Sequence, residues 1–95
     1  MSDDITTLLI RIQGSVQGVG FRAFATREAN ARQLNGWVRN RLDGTVEVLA
    51  SGPTKRVEDF ITACIHGPEG ARVANVDLLA SGAPEHPGFM LLPTV

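Results

Sequence analysis

Cysteine is nearly absent from this chain: Cys64 is the only one among 95 residues. No internal disulfide can form, and the chain fits a reducing compartment, with the cytoplasm the expected location. Charge of one sign is missing too. Nine basic residues meet ten acidic ones, for a formal net charge of -1. That balance argues against broad nucleic-acid binding, which calls for a basic face. No apolar run approaches the ~20 residues that span a bilayer, so no membrane association is expected. The start, Met1-Ser2-Asp3-Asp4, lacks the basic-then-apolar order of a signal peptide. His66 and His86 share no ligand-like spacing with Cys64 or with each other, so no metal site and no cofactor are expected. Ser15 and Thr26 lack an evident base, which leaves a covalent mechanism without support.

Against these absences stands one dense motif, Gly14-Ser15-Val16-Gln17-Gly18-Val19-Gly20-Phe21-Arg22. It follows a strand-like run and precedes a helix-like one. Its glycines let successive N–H groups turn into one concavity, at a helix N-terminus and beside a guanidinium. These three features together suit a phosphate-type anion. No Lys-Ser/Thr follows the last glycine, so the motif is not a nucleotide P-loop, and its spacing is not that of the dinucleotide fingerprint. Arg22 opposes the helix dipole, at about 0.3–1 kcal/mol, unless an anion offsets it. A solvated surface arginine is the competing reading.

The flanking patterns give the fold. Met1 to Ile5 are expected as a flexible tail, with a single domain over residues 6–95. Leu8, Ile10 and Ile12 alternate in a strand from Thr6 to Gln13. Phe21, Phe24, Ala25, Ala29 and Leu34 recur at helical spacing, and Asn35-Gly36 reads as the helix stop. Trp37 to Asn40 reads as a second strand. Leu42-Asp43-Gly44 reads as a hairpin turn, with Asp-Gly supplying positive φ. Thr45 to Ala50 alternates again, with Val46, Val48 and Ala50 on one face. Pro53 suits a first helical turn. Val57, Phe60, Ile61, Cys64 and Ile65 form a second helical stripe, closed by Gly67-Pro68. Val73 to Leu79 and Phe89 to Leu92 read as further strands, separated by a loop at Pro84 to Gly88.

The order βαββαβ with a short terminal strand predicts an α+β, ferredoxin-like sandwich: an antiparallel sheet with two helices on one face. In that arrangement strand three lies between strands one and two. The ends of strands one and two then meet at one edge, roughly 10 Å apart. Arg22 and Asn40 could reach one small ligand there, although Asn40 taken alone reads as a strand-end residue serving the turn.

Two segments together carry a resemblance. The loop Gly14 to Arg22, followed by Gly36-Trp37-Val38-Arg39-Asn40 with Asp43-Gly44-Thr45-Val46-Glu47, is similar to the paired signatures of acylphosphatases. Gly52-Pro53, the stretch Gly67 to Val73 and Phe89 fit that family's layout as well. The similarity runs from about Leu8 to Leu91. It implies hydrolysis of carboxyl-phosphate bonds to a carboxylate and inorganic phosphate. Phosphate is then expected as product and competitive inhibitor, and the expected partner is a small-molecule acyl phosphate, hydrolysed by a monomer. It implies that Arg22 binds phosphate and that Asn40 positions the attacking water. It also implies that Ser15, Val16, Gln17, Gly18, Val19 and Gly20 form the phosphate cradle. Ser15 departs from the arginine that many relatives carry, which puts local charge in doubt but leaves a backbone-amide role intact.

Other readings of the same pattern are less well served. A phosphate-binding regulatory module of the same fold, without turnover, is the main alternative. An RNA-recognition domain would display aromatics on strands one and three, and neither has one. A ferredoxin-like metal carrier would want a CxxC in the first loop. The zinc-finger cysteines of the larger hydrogenase-maturation proteins, which contain related domains, are missing.

Overall fold

In the computed structural model, which describes residues 4–95, the chain forms five strands and two helices. They are β1 (Ile5–Ser15), α1 (Phe21–Ala31), β2 (Asn35–Asn40), β3 (Val46–Pro53), α2 (Thr54–His66), β4 (Arg72–Ala80) and β5 (Phe89–Leu91). The sheet order is β4-β1-β3-β2-β5. β3 pairs antiparallel with both β1 and β2, as the ferredoxin-like pattern predicts. β5 adds to β2 in parallel.

Alternation decides which side of each strand faces the helices. Ile10 and Ile12 of β1, Val38 of β2, and Val46, Val48 and Ala50 of β3 are buried against them. Phe21, Ala25 and Ala29 of α1 and Val57, Phe60 and Cys64 of α2 complete the core from above. The opposite parity faces away. On that side Glu47 stands in register with Arg11 on one neighbour and with Arg39 on the other.

Several local expectations need correction. Ile5, expected in the tail, pairs with Pro53 and opens β1. The tail residues Met1, Ser2 and Asp3 lie outside the described residues. α1 ends before Asn35-Gly36: Gln33 takes the left-handed conformation at φ 55°, and the Leu34 N–H returns to the Ala29 carbonyl at 3.0 Å. Asn35 and Gly36 therefore belong to β2, and Leu34 reaches the core from beyond the helix. Only Gly44 of the Asp43-Gly44 pair has positive φ, at 93°. The hairpin is wider than a two-residue turn, closing between the Arg41 N–H and the Thr45 carbonyl at 2.9 Å, so β3 begins at Val46. Pro53 ends β3 as the N-cap of α2 and does not lie in its first turn. Ile65 of the expected stripe is 51% exposed, because the α2 face that meets the sheet is narrower than the apolar pattern. β4 extends one residue beyond expectation at each end, and β5 stops at Leu91.

Candidate active site

β1 and β2 run parallel to each other with β3 between them, so their C-terminal ends open at the same edge. β1 ends at Ser15, which still pairs with Arg72 of β4. The chain then leaves the sheet, curls through residues 16–20 and enters α1. Gly20 is the N-cap, left-handed at φ 78° and ψ 24°, a conformation that glycine adopts without steric cost. Among the described residues, no side chain caps α1, and no acid lies in its first turn. Its leading N–H groups thus carry their partial positive charge with no described side chain bonded to them.

A hollow of about 220 Å³ lies at this point, lined by Val16, Gly18, Gly20, Phe21, Arg22, Ala23, Asn40 and Leu91. The two segments singled out in the sequence meet here. The loop supplies Val16, Gly18 and Gly20, the first turn of α1 supplies Arg22, and the end of β2 supplies Asn40. The Asn40 side-chain amide has no hydrogen-bond partner among the described residues, while its backbone is held by Val46 across the ladder and by the Val95 N–H at 3.1 Å. Arg22 is half-buried, and its Nη1 donates to the Leu92 carbonyl at 3.1 Å. That bond leaves most of the guanidinium's five N–H donors for a ligand. Among the described residues, no acidic side chain lines the hollow.

Three of the expected cradle residues do not line it. Ser15 is the last residue of β1 and pairs outward with β4. The Val19 side chain packs against the core. Gln17 turns its amide to the β2–β3 hairpin, donating from Nε2 to the carbonyls of Arg41 at 2.7 Å and Thr45 at 2.9 Å. In the other direction, sequence reasoning missed Leu91 and the Leu92 carbonyl. They come from the end of β5 and the residue just after it, some 70 residues along the chain from Arg22, and no local pattern marks them.

On the far side of the sheet, Glu47 is only 3% exposed and meets Arg39 at 2.7 Å, Arg41 at 3.2 Å and Arg11 at 3.4 Å. Burial alone would raise its pKa. The hydrogen bonds and charges of Arg39 and Arg41 outweigh burial and hold the carboxyl below its ordinary value. This cluster faces away from the hollow. Among the described residues, no three His, Cys, Asp or Glu side chains gather to hold a metal ion, and no helix is long and apolar enough to cross a membrane.

Fold and site thus define a small ferredoxin-like α+β domain with a hollow, lined by Arg22 and the start of α1, at the ends of two parallel strands. Comparison with known proteins makes the assignment specific. Residues 8–90 match the family model described as Acylphosphatase. The acylphosphatase of Rhodospirillum rubrum is 47% identical over 89 residues, which cover 94% of this chain and 98% of the relative. The crystal structure of acylphosphatase from Bacillus subtilis superposes with a TM-score of 0.87 at 39% identity, covering 94% of this chain and 99% of that one. An acylphosphatase structure from Coxiella burnetii gives a TM-score of 0.88 at 30% identity, covering 94% of each chain. The chain belongs to the acylphosphatase family.

Proposed function

We propose that this acylphosphatase hydrolyses the carboxyl-phosphate bond of small acyl phosphates by direct attack of water. The observation that carries the reading is the meeting of Arg22, Asn40 and the uncapped start of α1 around one hollow. An acyl phosphate is a mixed anhydride with a good carboxylate leaving group. Its hydrolysis runs through a loose transition state, which calls for positioning and charge stabilisation more than for covalent help. In this reading the phosphoryl oxygens sit against the loop backbone and the Arg22 guanidinium, whose planar fork matches them. The Asn40 amide both donates and accepts, so it can orient a water molecule without bringing negative charge near the phosphate.

The atoms balance simply. The water oxygen bonds to phosphorus, the bond from phosphorus to the acyl oxygen breaks, and the carboxylate leaves with the electron pair. A phosphate oxygen of the substrate takes the proton released by water. Inorganic phosphate is the second product and, fitting the same hollow, a competitive inhibitor. The enzyme acts as a monomer in this reading. Cys64, buried and unpaired, suits the cytoplasm.

Hydrolysis of benzoyl phosphate tests the reading. Activity is expected in the wild type, with Arg22→Ala and Asn40→Ala each losing kcat by about 10²–10³ while the fold is retained. Full activity in either variant would remove its assigned role. A purified wild-type protein that binds phosphate without turning over acyl phosphate would make the chain a binding module. A pH–rate profile governed by an enzyme base near neutrality would contradict proton transfer to the substrate's own oxygen.

A further inference from the structure

The Gln17 side chain points to a role that the anion cradle does not require. Its backbone lies between Val16 and Gly18, both of which line the hollow, yet its side chain leaves the hollow for the hairpin. There both hydrogens of its amide are used, one on the Arg41 carbonyl at 2.7 Å and one on the Thr45 carbonyl at 2.9 Å. Arg41 directly follows Asn40. The Thr45 carbonyl also accepts the Arg41 N–H at 2.9 Å, so the three residues close the neck of the hairpin together.

This bond spans a gap that the sheet leaves open. The β1 ladder ends with Ser15 opposite Arg72, and the β2–β3 ladder ends with Asn40 opposite Val46. β1 and β2 do not touch, because β3 separates them. The loop after Ser15 and the hairpin after Asn40 therefore extend past their last paired residues. Gln17 joins them directly, a half-buried side chain tying the loop to the residue next to Asn40.

We propose that Gln17 is a positioning residue for the hydrolysis: a brace that fixes the separation between the phosphoryl group on the loop and the water on Asn40. The proposal rests on the reading of Asn40 given above. The residue type fits the task. Glutamine is long enough to reach both carbonyls and carries two donors. Glutamate at this position would turn carboxylate oxygens onto two carbonyl oxygens. Gln17 touches no reacting atom and acts through the geometry of Asn40, where a displacement near 1 Å can cost about 10²-fold in rate.

The test uses Gln17→Met, which keeps the length and removes the donors, in steady-state hydrolysis of benzoyl phosphate. The expected result is a kcat lower by about 10–100-fold, with KM and inhibition by inorganic phosphate changed by less than about threefold. The second arm is a double-mutant cycle with Asn40→Ala. If Gln17 works through Asn40, the double variant is no slower than Asn40→Ala alone, within about twofold. Losses that multiply would overturn the brace, as would full kcat in Gln17→Met when Asn40→Ala is inactive. An active Asn40→Ala would instead overturn the reading of Asn40, and the brace with it, so the two failures are told apart. Should Gln17→Met not fold, Gln17→Asn is read in the same way; it keeps the amide but is one methylene too short to span both carbonyls.

Discussion

Arg39 and Glu47 are direct cross-strand partners on the helix-free face of the sheet, with Nη2 to Oε1 at 2.7 Å. The same carboxylate also holds Arg41 and Arg11, so one buried acid anchors three strand and hairpin arginines. Its pKa is below the ordinary 4.5, despite burial, because Arg39 and Arg41 favour the charged form. The folded-state value is thus lower than the unfolded one. The stability that Glu47 contributes is complete above about pH 4.5 and is lost as pH falls through the folded value. Chemical denaturation from pH 7 to pH 2 should show Glu47→Gln losing less stability on acidification than the wild type. At neutral pH the variant should be less stable by about 2–3 kcal/mol, below the figure for a fully buried pair because the arginines are partly solvated. Parallel pH profiles for the two proteins would refute the role.

Gly36 takes φ 140° in β2, where a Cβ would stand 1.8 Å from the Leu49 carbonyl oxygen. The obstacle is backbone in the central strand, which cannot give way. Gly36→Ala should cost about 3 kcal/mol or more, combining a disfavoured φ with an overpacked contact. Thermal unfolding checks this, and a loss below about 1 kcal/mol would contradict the close approach.

Cys64 is buried on α2, and burial pushes its thiol up to about 12. The thiolate is the reactive form, so maleimide or disulfide reagents should leave the native protein unlabelled at pH 8. Labelling should appear with denaturant along the unfolding transition. Rapid modification of the native protein would mean that the α2 face opens locally.

Arg22→Lys separates charge from shape. Lysine keeps the positive charge but loses the planar fork and the bond to the Leu92 carbonyl seen at 3.1 Å. The expected kcat/KM is lower by about 10²-fold, with phosphate inhibition weakened in the same direction. Wild-type kinetics in this variant would reduce Arg22 to a point charge.

The elements were legible where pattern and physics coincide. Ile10 and Ile12 on β1, and Val46, Val48 and Ala50 on β3, alternate as half-buried strands must, and they line the core. Element ends were less legible. Asn35-Gly36 resembles a helix stop, yet Gln33 takes the left-handed turn and leaves the glycine free for close sheet packing. That Gly18, Gly20, Arg22 and Asn40 meet at one hollow was readable through their residue types and through the topology that joins them. Leu91 and the Leu92 carbonyl were not, since a contact made from the end of β5 and the residue beyond it leaves no trace near Arg22.

The sequence by itself determined the strand and helix order, the ferredoxin-like pairing and the family, because period, turn chemistry and motif spacing are local properties. Tertiary structure alone decided where side chains go once the ladders end. Gln17 reads locally as one more residue of an anion loop, but its amide is satisfied by two carbonyls that lie 24 and 28 residues away. Glu47 reads as a strand carboxylate, and only the register of β1, β2 and β3 surrounds it with arginines. Hydrogen-bond partners of this kind are set by the packing of distant segments, and no spacing in the chain encodes them.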